Sequence, residues 1–262
     1  MEDRSADVDR TMKKPTERFS DRVENYVRYR PTYPAEAIDA LIEICGVDRS
    51  STLADIGSGT GILTRQLLDR GLRVIAVEPN GEMRQAAESQ LSEYGRFTSV
   101  DGCAERSTLP DSSVDLIVAA QAFHWFRYDE ARREFARIVR AGGWLALIWN
   151  QRTVREPLQQ EYEAMLREHA PEYATVCHRN IPEASIERLF VPGSYRVLAF
   201  ENAQWFDRAG FLGRIQSSSY TPAADAPGYR ELVGAAERLF SRHEEDGRVR
   251  IAYNTELYLG QV

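Results

Sequence analysis

At 262 residues, with 43% hydrophobic and 28% charged side chains, the chain has the size and balance of one large globular domain with a substantial core. Its net charge of −7 argues against a general nucleic-acid binder, which needs a basic surface for phosphate contacts. No apolar run approaches the roughly 20 residues of a membrane span, the N-terminus lacks a signal-peptide core, and Cys45, Cys103 and Cys177 have no metal-ligand spacing, so a cytoplasmic enzyme without a bound metal is expected.

Residues 1–17 hold nine charged side chains and read as a mobile tail. From residue 52 short β-rich runs alternate with helical patterns, the signature of a parallel sheet flanked by helices. "TLADIG" (52–57) is the first strand and "LTRQLLDRG" (63–71) a helix stopped by Gly71. "RVIAVEP" (73–79) is a nearly all-apolar strand, as expected when both faces are covered. "GEMRQAAESQLSEYG" (81–95) is helical, "RFTSVDG" (96–102) a third strand and "VDLIVAAQA" (114–122) a fourth. Ala131, Phe135 and Ile138 recur at helical spacing, Gly142-Gly143 end that helix, and "WLALIWN" (144–150) is a fifth strand. Residues 151–193, with Pro157, Pro171, Pro182 and Pro192, read as an inserted helical cap. "SYRVLAFEN" (194–202) resumes as a strand, and "DRAGFLGRIQS" (207–217) is a helix capped by Asp207. A helix over about 229–245 presents Leu232, Ala236, Leu239 and Phe240 on one side, and "VRIAYNTELYLG" (249–260) is a final, antiparallel strand. The expected fold class is α/β: a doubly wound, seven-stranded, mostly parallel sheet in one domain, 18–262, with a helical cap.

In such a sheet, ligands bind beyond the carboxyl ends of the strands. Gly57, Gly59 and Gly61 follow the first strand as G-x-G-x-G, and the third glycine of a dinucleotide fingerprint is replaced by Ile62. Glu78 ends the second strand, where a carboxylate can accept both hydroxyls of a ribose and repels a ribose phosphate. Asp55 favours a ligand carrying positive charge and disfavours a pyrophosphate. S-adenosylmethionine (SAM), with its sulfonium, amino group, ribose and adenine, suits this set. The plainer reading of each feature alone is a tight turn and a solvated strand end.

These residues resemble the class I SAM-dependent methyltransferases over about 35–150 and more loosely to the end. "LADIGSGTGILT" resembles their first motif and "VIAVEPNGEM" their second-strand acidic motif. "GCAERSTLPDSSVDLIVAAQAFHWF" followed by "IVRAGGWLALIWN" is similar to the methyltransferase type 11 group. Within that group, "FSDRVENYVRYRPTYP" (19–34), "QAFHWF" (121–126) and "WNQR" (149–152) resemble small-molecule and trans-aconitate-type methyltransferases. The resemblance implies that Asp55, Gly57, Ser58 and Gly59 line the methionine part of SAM, that Glu78 holds the ribose, and that Pro79 and Asn80 pass beside the adenine. Cys103 stands where many relatives have an adenine-reading Asp, which leaves the Ala104 N–H and Glu105 for that task. Gln121 and Tyr26 join the cofactor residues. Residues 18–34 become a lid, from which Arg30 meets the methionine carboxylate.

For the acceptor, His124 is a candidate base, with a loop-anchoring histidine as the plainer reading. Trp125, Phe126 and Trp149 either wall an apolar pocket or pack beneath the cap. Tyr29, Tyr33, Asn150 and Arg152 are candidate substrate residues, and Arg152 with Arg155 would suit an acidic one. The expected activity is methyl transfer from SAM, leaving S-adenosylhomocysteine (SAH), to oxygen or nitrogen of a small molecule, by proximity and orientation. The expected partners are that small molecule alone, with no nucleic acid and no membrane, and the chain a monomer or homodimer. The alternatives are an NAD-dependent oxidoreductase on a Rossmann sheet, which Ile62 and Asp55 oppose, and a non-catalytic SAM-binding protein, which the retained glycine turn and Glu78 oppose.

Overall fold

The structure is a computed structural model that describes residues 23–176 and 183–262. The expectations placed on residues 1–17, on the first residues of the lid (18–22) and on Cys177 and Pro182 lie outside the described residues.

Two helices the sequence reading left unassigned precede the sheet, α1 (Val23–Tyr29) and α2 (Ala35–Cys45), separated by the segment carrying Pro31 and Pro34. Then follow β1 (Thr52–Ile56), α3 (Ile62–Leu68), β2 (Arg73–Val77), α4 (Gly81–Leu91), β3 (Phe97–Val100), β4 (Val114–Ala120), α5 (Tyr128–Ile138) and β5 (Val139–Arg152). The second half holds α6 (Pro157–His169), α7 (Tyr173–Val176), α8 (Glu183–Glu187), β6 (Arg196–Phe206), α9 (Arg208–Gln216), α10 (Tyr229–His243) and β7 (Val249–Gly260).

The seven strands form one sheet in the order β3-β2-β1-β4-β5-β7-β6, with β7 antiparallel to both neighbours. The chain runs from β1 outward to β3, then crosses to β4 and continues the other way, so the winding reverses between β1 and β4. That reversal opens a crevice at the carboxyl ends of β1 and β4.

Period-two alternation splits the strand residues between two cores. Leu53, Val74, Leu116, Val118, Ala146 and Ile148 face α2, α3 and α4, while Ala54, Ile56, Ile117, Ala119, Leu145 and Leu147 face α5 and α8. A third apolar cluster joins α6, α9 and α10 to the far end of β7 through Tyr162, Leu166, Phe211, Leu232, Phe240 and Ile251. The helical layer over β6 and β7 is therefore built from α9 and α10 as well as from the 151–193 segment.

Two boundaries differ from the sequence reading for physical reasons. The Gly142-Gly143 pair does not end a helix. It lies within β5, where five steps from Val139 to Trp144 oppose two from Val114 to Leu116 on β4. A Cβ on Gly143 would lie 2.6 Å from Val139 Cγ2 and 2.8 Å from the Asp115 carbonyl oxygen, so glycine is what lets the bulge form. On the sheet edge, β6 runs on to Phe206 because it pairs with β7 over that strand's whole length, to Phe206↔Val249. Among the described residues no helix is long and apolar enough to cross a membrane.

Candidate functional site

The glycine turn is held from below. Gly57 N–H and Ser58 N–H both donate to the Val77 carbonyl, at 2.9 and 3.3 Å, tying the end of β1 to β2. Glu78 fixes the rest: its Oε2 accepts the Gly59 N–H and its Oε1 the Asn80 N–H, each at 2.8 Å. Burial raises the pKa of this carboxyl, and those backbone N–H groups oppose the rise by stabilising the anion. Each carboxylate oxygen keeps a lone pair for a further donor. Asn80 in turn caps α4 by accepting the Met83 N–H at 2.9 Å.

The glycines answer two demands. Gly59 is left-handed (φ +57°), and a Cβ there would meet nothing closer than Met83 Sδ at 3.9 Å, so its missing side chain leaves open space above the turn. Gly57 is needed for packing, since its Cβ would lie 2.6 Å from Ala122 Cβ after β4. Asp55 sits beneath the turn, 1% exposed, its Oδ2 accepting the Thr64 hydroxyl at 2.6 Å. Its Oδ1 and the Ser58 Oγ are buried without a hydrogen-bond partner among the described residues. Burial pushes the Asp55 carboxyl up to about 7, against the Thr64 bond and with help from the Glu78 charge.

Above the turn lies a cavity of about 360 Å³, within the size range of small-molecule sites. Gly57, Gly59, Glu78, Pro79 and Asn80 form one wall, and Cys103, Ala104 and Glu105 another. Cys103 and Arg106 pair backbone to backbone at 3.1 Å both ways, and Glu105 accepts the Arg127 N–H at 2.7 Å, so these loops form one rim. Met83, Ala122, Trp125 and Phe126 supply the apolar lining, and Tyr26 of α1 closes one side. Ser58 and Asp55 do not line this cavity, and the sequence motif missed Met83 and Ala122.

A smaller cavity of about 60 Å³ adjoins it, with Tyr26 and Gln121 lining both. Here the structure collects Arg30, Tyr33, Asn150 and Arg152, all singled out in the sequence, with Tyr173, Arg214 and Tyr220, which were not. The one clue to Arg214 was its place within the buried face Phe211-Gly213-Arg214-Ile215 of α9. Arg152 donates to Tyr173 Oη at 2.9 Å, to Tyr220 Oη at 3.1 Å and to Glu163 at 3.3 Å. Gln121 holds a left-handed backbone (φ +56°) and donates from Nε2 to the Asn150 carbonyl at 3.2 Å, a strained position on the wall between the two cavities.

Other candidates lie elsewhere. Tyr29 docks against α9, where a Cβ on Gly213 would come 2.1 Å from its ring, and it lines neither cavity. Arg155 is exposed and lines, together with Arg152, a separate open cavity of about 410 Å³, while in the small cavity Arg152 is joined by Arg30 and Arg214. Trp149 is a core residue packed edge-on to Phe123 and Tyr258. His124 lines neither cavity, and burial, followed by the Arg30 charge, pushes its pKa down to about 3. So weak a base is poorly matched to deprotonating an acceptor at neutral pH. Among the described residues no group of acidic, His and Cys side chains is arranged to hold a metal.

Residues 54–147 match the family model of a methyltransferase domain. Over 137 residues the chain is 42% identical to an uncharacterized methyltransferase of Mycobacterium tuberculosis, a match covering 52% of this chain and 54% of that one. The match thus spans about half the length of the curated relatives. A candidate methyltransferase from an antibiotic biosynthesis pathway of Anabaena variabilis has the same fold, with a TM-score of 0.63 at 22% identity over 90% of this chain and 100% of that one. A phosphoethanolamine N-methyltransferase 2 of Haemonchus contortus, solved with phosphomonomethylethanolamine and SAH, also shares the fold, with a TM-score of 0.53 at 15% identity over 91% of this chain and 56% of that one.

Proposed function

For a chain that carries a methyltransferase domain on the class I methyltransferase fold, we propose that the larger cavity binds SAM and that the protein transfers its methyl group to oxygen or nitrogen of a small molecule. The observation that carries this reading is the braced glycine turn. Glu78 both holds the Gly59 and Asn80 N–H groups and faces a cavity with the volume of a nucleoside-sized ligand. The residues present fit the cofactor on this chain's own evidence. Gly59 lines the cavity, where a Cβ would take up room, and beneath the turn the Asp55 Oδ1 and Ser58 Oγ are buried without a hydrogen-bond partner among the described residues.

When bound, SAM supplies a methyl group already activated on a sulfonium. The chain's share is to bind, orient and exclude water. The free lone pairs of Glu78 accept the ribose hydroxyls, and the Ala104 N–H, with Glu105, faces the adenine end. Asp55, its carboxyl pushed up to about 7 by burial, braces the turn from beneath through the Thr64 hydroxyl, and a cationic ligand above would favour its ionised form. Trp125 and Phe126 keep water from the apolar side, and the Gln121–Tyr26 wall places the acceptor's cavity next to the cofactor's. Since His124 is held neutral and lines neither cavity, proximity and alignment carry the rate, and the acceptor's proton passes to solvent or buffer.

Incubation of the protein with labelled SAM and a metabolite library tests the reading. Label transferred to a small molecule, and lost in Gly59→Ala, supports it. Tight NADH binding with no heat on SAH titration would instead favour an NAD-dependent oxidoreductase.

A further inference from the structure

The two edges of the sheet are finished differently. β3 closes one side with four residues, Phe97–Val100, and offers little backbone to pair. β6 closes the other with eleven, Arg196–Phe206, in unbroken register with β7 from Arg196↔Leu259 to Phe206↔Val249. Pairing on one side leaves every second N–H and C=O of β6 turned outward, where no strand lies among the described residues. Devices that blunt such an edge, a proline, a lysine or a bulge, are missing from RVLAFENAQWF. On one face of the strand Leu198 and Phe200 pack against the core that meets α2, and Asn202 and Gln204 donate to the Thr32 and Tyr29 carbonyls at 2.8 and 3.2 Å. The other face carries Val197, Ala199, Glu201, Ala203 and Trp205. Trp205, 58% exposed, and Val197, 47% exposed, are the most exposed large apolar side chains among the described residues.

We propose that β6 pairs antiparallel with β6 of a second copy of this chain, across a two-fold axis at Glu201, joining the two sheets into one. The strand's own spacing selects both the partner and the register. Val197 and Trp205 stand four residues on either side of Glu201, so this axis alone sets each of them opposite the other in the second copy. Ala199 then falls opposite Ala203, and these small side chains, with Ala252 beside Ala203 on β7, leave room for the indole. Moving the axis to Ala199 or Ala203 would instead set Glu201 against Val197 or Trp205 and carry the other apolar side chain past the end of the strand. The register has one opposing feature, Glu201 facing its own copy, a like-charge pair that weakens the contact and keeps it reversible. Eleven residues at about 3.4 Å each make a seam of about 37 Å, which with both Trp205 side chains buries on the order of 1,000 Å² in total, the lower bound of a specific interface. A dimer with a Kd in the micromolar range is therefore expected. Both β6 edges are consumed and only the short β3 edges stay outside, so assembly stops at two. β7 and β5 separate β6 from β4, so the seam is independent of what binds at the crevice between β1 and β4.

The test is sedimentation velocity on the full chain from about 1 to 500 μM, a range that brackets a micromolar Kd. Monomer should pass to dimer and to nothing larger, and hydrogen exchange at the high end should protect residues 196–206 relative to the dilute protein. Trp205→Lys should weaken the dimer by more than about tenfold, since it removes the central apolar contact and adds charge at the seam. Val197→Lys, on the other half of the same pair, serves as a second variant should Trp205→Lys fail to fold, with the urea midpoint as the control. Glu201→Gln should tighten the dimer by about two- to fivefold by relieving the like-charge pair. A chain that stays monomeric throughout overturns the proposal and leaves the edge to an extended peptide or to water. So does a dimer that both lysine variants leave intact, protection confined to another segment, or association beyond two copies. A Glu201→Gln dimer no tighter than wild type overturns the axis at Glu201.

Discussion

Glu78→Ala removes an acceptor with two duties, and the two can be measured apart. Its carboxylate takes the Gly59 and Asn80 N–H groups at 2.8 Å each, which are hydrogen bonds to a charged group. Such bonds contribute about 1.5–3 kcal/mol each. The cost of burying the carboxylate, visible in its raised pKa, offsets part of that sum. A net stability loss of about 2–4 kcal/mol is expected in urea unfolding. Loss of the ribose contact should weaken SAH by a further 1–3 kcal/mol, or about five- to 160-fold, read by calorimetry at a temperature where the variant remains folded. Glu78→Gln keeps one carbonyl oxygen for one of the two N–H groups and turns its NH2 toward the other. It should therefore recover about half of the stability loss. A variant that loses stability yet binds SAH as the wild type does would refute the ribose role. One that unfolds at wild-type urea would refute the brace.

Gly213→Ala places a Cβ 2.1 Å from the Tyr29 ring and should cost about 1–3 kcal/mol by overpacking, with faster proteolysis within α1 and weaker SAH binding as Tyr26 is displaced; unchanged cleavage would show that α1 does not depend on the notch. For His124 the folded pKa of about 3 lies below the ordinary 6.5, so the unfolded chain takes up the proton first as pH falls. Wild type should lose stability relative to His124→Gln between pH 6.5 and about 3, while the variant's pH–rate profile keeps its shape; a missing limb near neutrality would restore the histidine as a base. For Asp55 the sign is reversed. Its folded pKa of about 7 exceeds the ordinary 3.8, so its contribution is full below 3.8 and lost as pH rises to about 7. Between those limits wild type should lose more stability with rising pH than Asp55→Asn, and parallel curves would mean that the carboxyl is ionised throughout.

Local patterns carried most of the fold. The strand–helix alternation from 52 onward and the antiparallel last strand follow from period and turn residues alone, and the sheet has the expected seven strands. What escaped was set by partners distant in sequence. Gly142-Gly143 look like a helix stop, yet the neighbouring β4 turns them into a bulge. The length of β6 is dictated by β7, whose residues lie some fifty positions further on. The same division holds at the site. Glu78 was legible because it ends a strand, where ligands gather in such sheets, and Pro79 and the 103–105 loop were legible only through the resemblance to the class I methyltransferases. Arg214, Tyr173 and Tyr220 were not, since they come from separate helices and loops and arginine is common on surfaces. Arg155 followed Arg152 only part of the way: the two share an open outer cavity, but only Arg152 reaches the small cavity beside the glycine turn.

The central claim is that a nucleoside cofactor lies over residues 57–59 with its ribose at Glu78, and a crystal structure of the protein grown with SAH tests it most directly. The account predicts the ribose hydroxyls within hydrogen-bond distance of the Glu78 carboxylate and the adenine between Pro79 and the 103–105 loop. SAH bound elsewhere, or this cavity closed by side chains while SAH is bound in solution, would contradict it.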